Sequence, residues 1–285
     1  MSQRTSDPTD AHVAAPPSGV GLLLRVLPPG MYAGRARMMV HRSLLVNRRA
    51  WLAVVSGFFE PLLYLFGLGY GFATLVAEVA GPNGTPISYV AFVAPALLAA
   101  SAMNGAVYDA TLNVFHKIKY AKLYDAVLAT PLGPVDVAVG EITWALIRGG
   151  LYAAAFLAVM LGMGLIMSPW ALLALPAALV ISFAFAAVGM AATTYMRSWT
   201  DFDLVQLALM PMFLFSTTFF PLTVYPEPLR VVVRCFPLYH AIEIMRALSY
   251  GLVDLSILGH LSYFVVMAAI GVAVASRRLG TLLLT

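Results

Sequence analysis

Six apolar runs govern what this chain can fold into. They cover roughly residues 51–76, 89–114, 137–167, 171–195, 204–224 and 258–276, each close to the ~20 residues that carry a helix across a bilayer. Inside hydrocarbon every backbone N–H and C=O must find a partner in the protein, so runs of this length dictate helices. Apolar residues make up 61% of the chain and charged residues 11%, with mean hydropathy +0.87, whereas a water-soluble domain carries roughly 25% charged residues. The expected fold class is therefore an all-α polytopic membrane protein with six transmembrane helices. The third run is overlong, and its first turns are expected to project beyond the membrane.

Residues 1–28 read as a disordered tail, because the first 20 are rich in Ser, Thr, Pro and Ala and lack periodicity. No apolar core occurs in residues 1–19, so no cleavable signal peptide is expected there, and the first run must direct insertion. Residues 29–50 are basic, with Arg35, Arg37, Arg42, Arg48 and Arg49 interleaved with Met38, Met39, Leu44, Leu45 and Val46. They read as a basic interfacial helix, and equally as a solvated segment that fixes topology. Residues 51–285 form the six-span domain.

Orientation follows from lysine and arginine placement. With the N-terminus cytoplasmic, that side receives Arg4, Arg25, Arg35, Arg37, Arg42, Arg48, Arg49, Lys117, Lys119, Lys122, Arg197, Arg277 and Arg278. The far side receives Arg230, Arg234 and Arg246, and Arg148 falls within the third run. Thirteen against three places both termini in the cytoplasm.

Between the second and third runs lies HKIKYAKLYDAVLATPLGP, residues 116–134. Tyr120, Leu123, Tyr124, Val127 and Leu128 recur at helical spacing and form one apolar stripe, with Lys117, Lys119, Lys122 and Asp125 off it. Pro131, Gly133 and Pro134 end the helix. Burying that stripe against a partner is worth at most ~5–10 kcal/mol, at ~1.5–3 kcal/mol per large apolar side chain. Part of the stripe is expected to pack on the chain's own basic segment.

Residues 225–257 hold apolar runs too short to span, broken by Pro226, Pro228 and Pro237. They read as two short re-entrant or interfacial helices capping the outer mouth. His240, Glu243 and Arg246 lie three residues apart in turn, and a local Glu243–Arg246 salt bridge is the expected role. Glu60, in the first run before Pro61, is either a substrate contact or a residue satisfied beside the proline kink. Glu141 and Arg148 share one face of the third run, but ~10.5 Å of rise separates them; each is expected to pair across helices instead. Asp109 and Asn113 are expected to cap or solvate the second helix. Met210, Phe213, Phe219 and Phe220 suit lipid contact and packing by default, and also the wall of a path for apolar cargo. Gly67 and Gly71 form a GxxxG close-packing pattern.

Several chemistries are missing. The only lysines are Lys117, Lys119 and Lys122, and none sits in a GxxxxGK[ST] phosphate loop. His-Glu-x-x-His and Gly-x-Ser-x-Gly are absent too. One cysteine, Cys235, excludes an intrachain disulfide, and no Cys/His cluster has metal spacing. No catalytic residue, metal or nucleic-acid partner is expected. An ion-coupled secondary transporter is the rival reading, but it predicts inverted repeats that are not found. A membrane-embedded enzyme or scaffold would need a convergent polar constellation, and Glu60, Glu141 and Arg148 are scattered.

With these residues in view the chain resembles the ABC-2 family of ABC-transporter membrane subunits, in the branch of nodulation lipo-oligosaccharide and daunorubicin-type drug exporters. The resemblance covers residues 30–280 and is carried by Leu123 to Gly133 (LYDAVLATPLG), by Phe219-Phe220-Pro221-Leu222, and by Phe236-Pro237-Leu238 with His240, Glu243 and Arg246. It implies a multi-pass subunit of the cell (inner) membrane that pairs with a second membrane subunit, identical or paralogous, and with two separately encoded ATPase subunits. ATP and magnesium would sit on those ATPases, and no cofactor on this chain. The resemblance further implies a coupling helix at 116–133, with ATPase contacts at Lys117, Lys119, Tyr120, Leu123, Tyr124, Val127 and Leu128. It implies an interfacial helix carrying Arg35, Arg42 and Arg49, and re-entrant helices within 225–257. A path or gate would involve Glu60, Met210, Phe213, Phe219, Phe220, His240, Glu243 and Arg246. The implied function is ATP-driven export of an amphipathic drug, lipid or lipid-linked saccharide.

Overall fold

A computed structural model describes residues 36–49, 59, 61–73, 75–76, 78–81, 85–121, 123–128, 132 and 134–283. The tail, Arg35, the start of the first run (51–58) with Glu60, and Lys122 lie outside the described residues, as do the side chains of Arg49, Asp125 and Leu128. Among the described residues four helices are long and apolar enough to cross a membrane: Tyr89–Lys119, Asp136–Gly162, Pro169–Thr193 and Ser256–Arg278. The chain is a mostly helical, polytopic membrane protein.

Helix α1 (Ala36–Arg49) packs on the third-run helix, burying Met39 and Ser43 and leaving Met38, Leu44, Leu45 and Val46 exposed. Helix α2 (Tyr89–Lys119) starts where the Ser88 side chain accepts a hydrogen bond from the Ala91 N–H at 3.3 Å, an N-cap that satisfies one orphan donor. It passes through a π turn at Asp109–Asn113 and resumes at Val114. After a short helix α3 (Leu123–Leu128) come α4 (Pro134–Gly162), α5 (Ala174–Thr193), α6 (Asp201–Phe215), α7 (Glu227–Cys235), α8 (Pro237–Tyr250) and α9 (Ser256–Leu283).

The central mast is α2. Of its most apolar stretch 94% is buried, against 22% for α9, although α9 is the more hydropathic. Its alanines allow α4, α5 and α8 to close around it. A Cβ at Gly149 would lie 2.6 Å from Ser182 Oγ, and one at Gly271 would lie 2.7 Å from the Ala187 backbone, so both glycines mark close helix crossings. Ser182 Oγ donates to the Ala102 carbonyl at 3.1 Å and Thr193 Oγ1 to that of Ala110 at 3.0 Å, polar links of the kind that join helices in lipid. Among the described residues the GxxxG glycines mark no such crossing: a Cβ at Gly67 or Gly71 would meet nothing there within 4 Å.

Two expectations need correction. The loop before α2 carries a small antiparallel hairpin, β1 (Glu78–Ala80) with β2 (Pro86–Ser88), Val79 facing a buried Ile87. The fifth run is helical only as far as Phe215; 15 residues reach about 22 Å, short of a ~30 Å hydrocarbon layer. Helix α6 stops because Thr217 adopts the left-handed region at φ 64°, which no continuing helix accepts. The irregular segment after it is paired by side chains: Thr218 Oγ1 donates to the Phe213 carbonyl at 2.6 Å and Tyr89 Oη to that of Phe219 at 3.2 Å.

Candidate functional site

Polar side chains gather at the two ends of the bundle. At the end carrying Lys117 and the C-terminal part of α9, two ion pairs join α2 to α4. Lys117 Nζ meets Glu141 at 2.5 Å, and Arg148 Nη1 meets Asp109 at 2.8 Å. Arg148 Nε also donates to Tyr152 Oη at 3.1 Å, and Asn113 Nδ2 donates to Asp109. Glu141 and Arg148 thus pair across helices rather than with each other. Asp109 is more than a cap, being 4% exposed and the sole carboxylate on Arg148 among the described ion pairs.

The π turn explains how one face of α2 presents both charges. Residues eight apart on an unbroken α-helix are rotated by about 80° around the axis. A π turn spends more residues per turn and takes up most of that difference. Asp109 and Lys117 therefore both face α4, about 12 Å apart along the axis.

Beyond Lys119 the helix breaks, which corrects the single amphipathic helix expected at 116–133. The piece from His116 to Lys119 is the last turn of α2, Tyr120 and Ala121 form a turn, and among the described residues Leu123–Leu128 make a separate helix. The stripe also divides. Tyr124 and Val127 face the chain's own core, at 1% and 9% exposure, so they are closed to a docking partner here, and Leu123 is half-buried. Tyr124 sits beside Glu141 and near half-buried Arg42; burial, and then the Glu141 charge, push its hydroxyl well above the usual phenol range.

Tyr120 is 57% exposed. Its ring stacks between His116 at 5.9 Å and Trp199 at 5.5 Å, with Phe115 buried beneath and edge-on to Trp199 and Phe202. Lys119, Arg197 and Trp199 are exposed beside this ledge. The sequence reading missed Phe115, Trp199 and Phe202. Trp199, two residues after Arg197 in a short polar gap between apolar runs, carried the available signal, since tryptophan collects at membrane interfaces.

At the opposite end Arg246 is the organising group. Its Nη2 donates to the Thr217 carbonyl at 2.6 Å and Nη1 to Thr217 Oγ1 at 3.2 Å, and its guanidinium lies 4.0 Å from the Phe92 ring centroid. The expected Glu243 bridge exists, but at 3.8 Å it is the longer contact. His240 Nδ1 meets His260 Nδ1 at 2.7 Å, linking α8 to α9; nothing in the sequence marked this pair. Phe213 is half-buried against Tyr64 and Phe219, Phe219 is buried, and Met210 and Phe220 are exposed. Among the described residues no group of three His, Cys, Asp or Glu could hold a metal.

A family model described as ABC-2 type transporter matches residues 35–250, from α1 through α8. The chain belongs to the ABC-2 type transporter family. It is similar to Nodulation protein J of Rhizobium leguminosarum bv. trifolii, 31% identical over 244 residues, covering 84% of this chain and 91% of that protein. Nodulation protein J of the viciae biovar is 32% identical over 248 residues, with 84% and 92% covered. That of Sinorhizobium fredii is 32% identical over 207 residues, with 72% and 77% covered. As an ABC-2 chain it is the membrane-spanning part of a transporter, and membership implies an ABC ATPase and a further membrane subunit as partners.

Proposed function

We propose that this ABC-2 chain is the transmembrane subunit of an ATP-driven exporter of the inner membrane, moving an amphipathic substrate outward. It has six spans and cytoplasmic termini, α7 and α8 are re-entrant, and α1 lies at the cytoplasmic membrane surface. It works with a second membrane subunit and two ATPase subunits that bind ATP and magnesium. The observation that carries this reading is the exposed aromatic ledge of Tyr120 and Trp199 at the basic end, bordered by Lys119 and Arg197. Lysine and arginine excess marks the cytoplasmic side, where a soluble ATPase is found.

Force applied at the ledge enters a rigid unit. Tyr120 follows directly on α2, and the Lys117–Glu141 and Asp109–Arg148 pairs bolt α2 to α4 at two levels. Driving a two-state pore from 1:99 to 99:1 takes a differential of ~5.5 kcal/mol. Two half-exposed aromatic side chains fall short of that at ~1.5–3 kcal/mol for each full burial. Leu44, Leu45 and Val46 of α1, exposed at the same end, supply the remaining apolar surface.

The test is to isolate the tagged chain from native membranes with its phosphate-loop ATPase and to measure ATP hydrolysis by the reconstituted complex. Tyr120→Asp combined with Trp199→Asp is expected to remove the ATPase and its activity. A doubly substituted chain that retains a full complement of active ATPase would overturn the docking assignment.

A further inference from the structure

A cavity of about 450 Å³ opens between Tyr64 of the first run, α2 at Asn104 and Tyr108, and α6. Its volume falls within the ~300–1,000 Å³ of drug-sized ligand pockets. One face of α6 supplies Asp203, Gln206, Leu207, Met210 and Phe213, and α2 supplies Asn104 and Tyr108. The polar groups are graded along it. Asp203 and Gln206 lie in the first two turns of α6, at the end shared with Trp199, and Gln206 Nε2 donates to Tyr108 Oη at 2.7 Å. Deeper in, Met210, Phe213 and Tyr64 form an apolar wall, the two rings 5.5 Å apart.

Charge is the informative feature. Among the described residues Asp203 is the only charged side chain lining the cavity, and no lysine, arginine or histidine among them lines it. It has no ion-pair partner among the described residues. Nor is it needed by the loop before α6, whose backbone Arg197 and Ser198 N–H groups donate to Asp201 instead. Helix-dipole stabilisation accounts for some acidity in a first turn, but not for a carboxylate opening on a cavity walled by aromatic rings. A carboxylate with nearby ring faces attracts organic cations and repels anions.

We propose that this cavity receives an amphiphile with a cationic head, the head at Asp203 and Tyr108 and the apolar body against Met210, Phe213 and Tyr64. The assignment deepens the export reading by naming a substrate class, and it selects against phosphate- or sulfate-headed amphiphiles.

The experiment uses the purified full chain in lipid nanodiscs, with rhodamine 6G binding followed by fluorescence anisotropy and empty nanodiscs as the blank. Two competitors with the same tail and opposite heads, dodecyltrimethylammonium and dodecyl sulfate, are added at submicellar concentrations. The cationic competitor is expected to displace the dye at least about tenfold more effectively, the ratio that one favourable charge contact commonly produces. Asp203→Asn is expected to weaken dye binding about tenfold, with Asp203→Glu retaining it. Leu207→Trp, which fills the cavity, is expected to weaken binding with the charge intact. Equal competition by the sulfate, or unchanged binding in Asp203→Asn and Leu207→Trp, would overturn the proposal. If both Asp203 variants fail to fold, the competitor ratio on the unsubstituted chain decides alone. Binding here needs no ATPase, so its failure leaves the docking ledge standing, and loss of ATPase docking leaves this cavity standing.

Discussion

Arg148 and Arg246 are both largely enclosed guanidiniums, yet their partners differ in kind. Arg148 faces a buried carboxylate, Asp109, across two long helices. Arg246 faces mainly a backbone carbonyl and an aromatic ring, with its carboxylate, Glu243, further away and more exposed. Charge neutralisation fixes helix register at the first site. At the second, the fork of N–H donors replaces the helix hydrogen bonds that the chain gives up after Phe215. One guanidinium pairs a charge and the other pairs broken backbone.

Substitutions separate the two roles. The largest effect is expected for Asp109→Asn, which leaves Arg148 buried without its counter-charge and should cost ~3–5 kcal/mol in reversible unfolding from mixed micelles. Next, Arg246→Lys should cost ~2–3 kcal/mol by the same measurement, because an ammonium cannot span the Thr217 carbonyl and hydroxyl as the planar fork does. The double change Asp109→Leu with Arg148→Met should recover to within ~1.5 kcal/mol of the original chain, since a buried pair can be exchanged for apolar packing. Smallest is Glu243→Gln, under ~1 kcal/mol, because that carboxylate is partly solvated and its bridge is long. If Glu243→Gln cost as much as Asp109→Asn, Arg246 would be a charge-paired site like Arg148, and the distinction would fail.

The amino-acid pattern foretold the long helices of the second, third, fourth and last runs, because spacing and hydropathy act locally. It also foretold that Glu141 and Arg148 would each look elsewhere for a partner, since helical rise alone forbids their pairing. It could not foretell which groups answered, because Asp109 and Lys117 come to the same face only through the π turn. The stripe at 120–128 was visible, but periodicity cannot distinguish a face that meets another protein from one that meets its own chain. Tyr124 and Val127 took the second course. The stop at Phe215 was hidden for a related reason. Apolar content continues to Phe220, and the tertiary donors Arg246 and Tyr89, with the local Thr218 hydroxyl, make a non-helical backbone tolerable there.

The account depends on which end of the bundle faces the ATPase, and the chain carries its own probe. Cys235 is the single cysteine and is exposed, at the end opposite Tyr120. Intact spheroplasts treated with a membrane-impermeant maleimide should label Cys235, while a Cys235→Ser chain carrying Tyr120→Cys should label only after the membrane is opened. The reverse pattern, Tyr120→Cys reacting from outside while Cys235 is protected, would turn the aromatic ledge away from every cytoplasmic ATPase and contradict the account.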